Sequence, residues 1–185
     1  MMDRLWVLTN TCYGQWLPGD DRGFVGFVVN YQDPQESKTN HSLPGNPYLS
    51  KIRGLELAAK AQADGPPIEL TRNQADTLLA QFQETASFRK WTLLAASVMF
   101  NHFHIVVGVP GDPEPSKILG DFKSYGTRSL SKTYGVPASQ TWWTQQGSKR
   151  KVKDQAGLFR VCKYVVEEQP NPLAVFSLAS GTASA

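Results

Sequence analysis

The sequence predicts an α+β domain of the ferredoxin-like, split βαβ kind: an antiparallel sheet with helices on one face, followed by a further C-terminal helix. Three observations predict it. A capped amphipathic helix opens at Thr71, a long apolar run over residues 91–107 divides into two strands, and a second amphipathic helix follows a proline-rich break. With a strand near the N-terminus and another at Trp142, the order reads strand, helix, strand, strand, helix, strand.

Residues 5–11 (LWVLTNT) have the β-branched and aromatic content of a strand. Residues 13–65 are rich in Gly, Pro, Asn and Asp and read as a long irregular insertion. Within it, an apolar stretch at 23–29 suits a short hairpin, and 47–63 suits a strand and a short helical turn. Thr71-x-x-Gln74 is a capping-box pattern, and Ala75, Leu78, Leu79, Phe82 and Ala86 then recur on one helical face. The run at 91–107 is too long for one strand and is expected to turn near 99–101. Pro110, Pro113 and Pro115 precede a helix at 116–134 with Ile118, Leu119, Phe122, Tyr125 and Leu130 as its apolar members. Trp142-Trp143-Thr144 suits a fourth core strand. A basic run follows, then a helix over 154–168 that Pro170 should end, because the residue before a proline is biased out of helical geometry. Residues 1–176 are expected to form one domain, and the small-residue stretch 177–185 a flexible tail.

A chain of 185 residues is long enough to bury a core, and 41% hydrophobic with 19% charged residues excludes bulk disorder. The net charge of +3 permits an anionic partner without requiring one. Cys12 and Cys162 make no disulfide framework and no CxxC pair, which suits a reducing compartment. The N-terminus lacks a signal-peptide pattern, and no run approaches the roughly 18 apolar residues of a membrane span. The expected location is the cytoplasm.

Two of the three histidines lie in Asn101-His102-Phe103-His104-Ile105-Val106-Val107. Strand side chains alternate faces, so His102 and His104 point the same way, about 6.6 Å apart along the strand. Two imidazoles held on a sheet present nitrogens to one metal ion. A pair of surface histidines would show the same spacing, but an apolar central strand gives polar residues a cost that needs a reason. His41, in the insertion, is assigned no role. On the last helix, Leu158, Cys162, Val165 and Val166 group on one side. Tyr164 falls on the flank beside Arg160 and Glu168, which leaves its phenol available. A tyrosine packed at a helix edge would read the same way, and the histidine pair is what gives the phenol its interest.

The stretch Asn101 to Val106 resembles the Asn-His-hydrophobic-His-aliphatic signature of the HUH endonucleases. More narrowly, the chain is similar to the single-tyrosine transposases of small bacterial insertion sequences and their REP-associated relatives. The resemblance includes Lys163-Tyr164-Val165-Val166-Glu167-Glu168-Gln169 and Phe122-Lys123-Ser124-Tyr125-Gly126-Thr127-Arg128. It extends to Tyr13-Gly14-Gln15-Trp16-Leu17-Pro18-Gly19-Asp20 and to Trp143-Thr144-Gln145-Gln146-Gly147-Ser148, so it covers most of the chain. It implies a ferredoxin-like fold, a homodimer, and Mg²⁺ or Mn²⁺ held by His102, His104 and an amide or carboxylate near the tyrosine. Many members carry Gln or Asn four residues after the tyrosine. Here that position is Glu168, with Gln169 one further on. An unbroken helix favours Glu168, about 40° from Tyr164, over Gln169 at about 140°; Gln169 enters if the helix unwinds before Pro170.

The implied reaction is cleavage and rejoining of single-stranded or hairpin DNA. Tyr164 attacks the phosphorus, giving a 5′-phosphotyrosine and a free 3′ hydroxyl, and the stored bond permits transfer to another strand. Lys117, Lys123, Arg128 and Lys132 on the second helix, and Lys149, Arg150, Lys151 and Lys153 in the basic run, are candidates for phosphate contact. Charge runs of this kind are also ordinary solvated surface. Trp16, Trp142 and Trp143 are candidates for base stacking or for core. Tyr125 and Tyr134 are rival nucleophiles by type, but Tyr125 lies in line with apolar residues. Three readings compete: a transposase, including a domesticated form that processes repeats; a replication initiator or relaxase, for whose extra regions this chain is short; and a non-catalytic ferredoxin-like nucleic-acid-binding module.

Overall fold

The computed structural model describes residues 4–21, 27–29, 38–40 and 49–181. Strand β1 (Arg4–Thr11) enters the sheet, and a two-stranded hairpin of β2 (Phe27–Val29) and β3 (Lys38–Asn40) interrupts the insertion. A short helix, α1 (Arg53–Ala61), follows. His41 and part of the expected hairpin and strand region lie outside the described residues. No described helix is long and apolar enough to cross a membrane.

Helix α2 (Arg72–Phe88) begins where the capping box predicts. The Gln74 N–H donates to Thr71 Oγ1 at 3.3 Å, and the Thr71 N–H donates to Gln74 Oε1 at 2.8 Å. Strands β4 (Thr92–Val98) and β5 (His102–Val109) flank a tight turn in which the Met99 N–H donates to the His102 carbonyl at 2.8 Å. Then come α3 (Pro115–Tyr134), β6 (Ser148–Val152), α4 (Gln155–Glu167), β7 (Ala174–Ser177) and the short α5 (Leu178–Gly181). The antiparallel sheet has the order β6-β1-β5-β4-β7. Its first four strands are the ferredoxin-like order, with β7 added on the β4 edge.

Strand alternation gives the sheet two covered faces. Leu8, Phe103, Ile105, Val107 and Val109 enter one large core with Leu78, Phe82, Ile118, Phe122 and Leu130 from α2 and α3. Val106 and Ala95 point the other way and meet Val165 of α4, with Val7, Val161 and Val166 around them. Helices α2 and α3 thus share one face, as expected, and the appended helix covers the opposite one. The two free cysteines fall in these two separate clusters, on either side of the sheet.

The fourth strand lies later than its aromatic content suggests. Trp143 makes only an isolated bridge to Cys12, and the strand is the basic run itself, Ser148–Val152. Both indoles are buried and bond to α3: Trp142 Nε1 donates to Ser131 Oγ and Trp143 Nε1 to Thr127 Oγ1, each at 2.9 Å. Consecutive strand residues face opposite sides, so two adjacent indoles sunk against one helix cannot belong to a regular strand. An edge strand has a solvent-facing side and tolerates Lys149, Arg150 and Lys151.

Candidate functional site

The site grows from one row of the sheet. Pairing of β1, β5 and β4 sets Thr9, His104 and Ser97 side by side on the α4 face. His102 is two residues earlier on the same face, and the two imidazoles meet edge-on with centroids 4.9 Å apart. His104 is only 7% exposed. Its Nδ1 lies 2.6 Å from Thr9 Oγ1, and its Nε2 has no hydrogen-bond partner among the described residues. The neighbouring Ser97 Oγ is buried and likewise unpartnered there. His102 Nδ1 lies 2.6 Å from Asn101 Oδ1. Burial first, and the nearby His102 charge second, push the His104 pKa down from 6.5 to about 4, while Gln169 alongside opposes the shift. Gln169 therefore sits within reach of the ring without closing a well-aligned hydrogen bond to Nε2.

Helix α4 brings the tyrosine. Asp154 caps it, with Oδ1 accepting from the Gly157 N–H at 2.6 Å. The buried Val165 anchors it, and the adjacent Tyr164 projects at the helix flank, 45% exposed. The Tyr164 ring meets His104 with centroids 5.6 Å apart at 65°. An imidazole pair and a phenol from two elements distant in sequence, β5 and α4, therefore meet on one face of the sheet.

The end of α4 separates the two residues that follow the tyrosine. The helix stops at Glu167, with Glu168 as its C-cap. Glu168 turns outward, half exposed, 4.0 Å from Lys163 Nζ. Gln169 folds back beneath the helix end, is buried, and donates from Nε2 to the Tyr164 carbonyl at 3.1 Å. Glu168 would lie about 40° from Tyr164 only on an unbroken helix, and here the helix ends before it, with Pro170 and the left-handed Asn171 (φ 48°) following. Among the described residues, no cluster of three His, Cys, Asp or Glu side chains is placed to hold a metal ion. Of the two residues considered after the tyrosine, the one that lies beside His104 is Gln169, an amide.

A groove of about 550 Å³ runs from His104 and Tyr164 between β6 and α4, lined by Trp16, Arg150, Lys151, Lys153 and Arg160. Arg150 faces it because its register partner Val7 lies on the α4 face. The other predicted cations lie elsewhere. Lys117, Arg128 and Lys132 are exposed on α3, across the sheet from the imidazoles, with Arg128 stacked 5.2 Å above the Tyr125 ring. Lys123 is used internally: its Nζ donates to the Thr144 and Gln145 carbonyls at 2.7 and 3.0 Å. Burial and Lys149, which is half-buried near it, lower its pKa. Trp142 and Trp143 are core, leaving Trp16 as the indole at the groove. Thr9 and Ser97 were not legible as site residues, because their positions follow from strand register, which no local pattern encodes.

The sheet, the imidazole row and the opposed tyrosine helix fall largely within a stretch with recognised relatives, and those relatives are transposases. Residues 69–168 match the family described as Transposase IS200 like, and the chain belongs to that family. Among solved structures, it is similar to a REP-associated tyrosine transposase bound to a REP hairpin, with 11% identity and a TM-score of 0.46. That match covers 89% of this chain and 66% of the other, so the chain spans just under two thirds of that relative. A candidate transposase from Deinococcus radiodurans shares 15% identity with a TM-score of 0.38, over 51% of this chain and 79% of that one. No curated protein matches significantly in sequence.

Proposed function

We propose that this transposase-family protein cleaves and rejoins single-stranded or hairpin DNA, with Tyr164 as nucleophile and His102, His104 and Gln169 as the set that holds Mg²⁺ or Mn²⁺. The observation that carries the reading is the 5.6 Å spacing of the His104 and Tyr164 rings on one sheet face. The donor set fits a divalent cation: His104 Nε2 is a buried nitrogen that makes no hydrogen bond among the described residues, and Gln169 adds an amide beside it. When bound, the ion would draw electron density from the phosphate and stabilise the leaving 3′ oxygen.

Tyr164 supplies the chemistry of the chain itself. Its oxygen attacks the phosphorus, the bond from phosphorus to the 3′ oxygen breaks, and that oxygen leaves as a 3′ hydroxyl after taking a proton. The phenolic proton passes to solvent at the open groove. A 5′-phosphotyrosine results, and attack by another 3′ hydroxyl reverses the exchange on a new strand, so no external energy source is needed. Arg150, Lys151 and Arg160 along the groove are suited to the phosphates flanking the scissile bond. Dimerisation, implied by the resemblance, would place two such sites in one assembly.

The test incubates the full chain with labelled hairpin-bearing single strands and Mn²⁺, then resolves the products on a denaturing gel. A covalent adduct that disappears in Tyr164→Phe supports the reading. Adduct persisting in Tyr164→Phe transfers the role to another residue. Absence of any adduct across varied substrates favours a non-catalytic nucleic-acid-binding module.

A further inference from the structure

The two imidazoles differ in their partners, and the difference bears on which ring nitrogen carries the proton. Asn101 Oδ1, 2.6 Å from His102 Nδ1, can only accept. That contact puts the proton on Nδ1 of His102 and the lone pair on Nε2. Thr9 Oγ1, 2.6 Å from His104 Nδ1, can donate or accept, so the contact alone permits either tautomer of His104. Burial separates the two. A proton on His104 Nε2 would find only Gln169 within reach, which closes no aligned hydrogen bond to it among the described residues, and a poorly met buried donor is costly. A proton on Nδ1 instead satisfies the Thr9 oxygen and leaves on Nε2 a lone pair, which a cation can take.

We infer that Thr9 is a positioning residue: its hydroxyl accepts from His104 Nδ1–H, so both rings are held in one tautomer with Nε2 as the donor atom. The inference rests on the metal-binding reading above and extends it to a residue outside every motif. Thr9 is suited to the task because β1 is paired with β5 along its whole length, with Thr9 directly opposite His104. The hydroxyl is thereby fixed by backbone pairing on a central strand. Fixing the tautomer and plane of a ligating imidazole through its second nitrogen raises its affinity for metal.

The experiment uses the full chain and two readouts. Proton–nitrogen correlation spectra of the imidazoles, taken on metal-free protein at pH 8, report the tautomers; calorimetric titration reports Mn²⁺ affinity. The expected spectrum of the wild type shows Nδ1–H on both rings. Thr9→Val, which keeps shape and strand preference, should bind Mn²⁺ about 10–100-fold more weakly, and Thr9→Ser should stay close to the wild type. An Nε2–H tautomer for His104 in the wild type overturns the inference without any variant. So does Mn²⁺ binding that is lost in His104→Ala yet unchanged in Thr9→Val. Mn²⁺ binding that is absent in the wild type, or unaffected by His104→Ala, overturns the metal reading and the Thr9 role with it.

Discussion

Val165→Ala isolates the attachment of the tyrosine helix. Val165 is the one fully buried side chain of α4, and it closes a small cluster with Ala95 and Val106. No other side chain of the helix is fully buried: Leu158, Val161, Cys162 and Val166 pack partly around it, while Phe159 is 70% and Tyr164 45% exposed. Truncation removes two carbon groups, worth about 0.8 kcal/mol each in transfer, and adds a cavity term, for a total of about 2–3 kcal/mol. The loss should be local, because the larger core lies across the sheet and contains no α4 residue. An opening free energy reduced by about 2 kcal/mol corresponds to roughly 30-fold faster exchange of α4 amides. Hydrogen-exchange mass spectrometry should show this in residues 155–167, while α2 and the central strands keep their protection. Mn²⁺ affinity should fall only in part, since both imidazoles ride on β5 while Gln169 is bonded to the end of α4, whereas DNA adduct yield should fall further as the phenol loses its seat. Loss of protection in α2 and β4 in step with α4 would show that the helix is not a separable unit and refute its local attachment through Val165.

Two further outcomes follow from other features of the site. The depressed pKa of His104, about 4 against 6.5, means that metal-free folded protein binds fewer protons than the unfolded chain between those values. Its contribution is present above about pH 6.5 and lost as pH falls towards 4, on the order of 3 kcal/mol in all. Urea unfolding at pH 7 and pH 4.5 should show a larger acid loss in the wild type than in His104→Gln; equal losses would refute the assignment. Gly147→Ala should destabilise, because a Cβ there would meet the Thr9 carbonyl oxygen and lie 2.5 Å from Asn10 Oδ1. Neither neighbour is the free end of a long side chain, so a cost of about 3 kcal/mol is expected in thermal melts, with a displaced β1–β6 junction. A loss below about 0.5 kcal/mol would show that the strands give way easily.

Much of the architecture was legible because its signals are local. The Thr71–Gln74 box, the periodicity of α2 and α3, the split of 91–107 and the stop of the tyrosine helix before Pro170 each depend on residues within a few positions. The same-face placement of His102 and His104 follows from strand alternation alone. Elements that depend on partners distant in sequence were misread or missed. Trp142 and Trp143 carry strand-like composition but answer to Ser131 and Thr127 on α3, and the basic run gains its strand character from pairing with β1. Strand β7 follows the last long helix and exists as a strand only through its ladder with β4. Among the cations, charge was visible in the sequence but direction was not: Lys123 turns inward to two carbonyls, while Arg150 faces the groove.

The sequence by itself determined which side chains share a strand face, where the helices start, and that a tyrosine rides the flank of the final helix. Only the tertiary structure decided that this helix crosses to the histidine face, that Gln169 and not Glu168 turns towards His104, and that Thr9 meets its Nδ1. The physical reason is range. Periodicity and capping are settled by hydrogen bonds within one turn or one pleat, whereas helix docking, strand register and the path of the chain after α4 are settled by which distant surfaces bury each other.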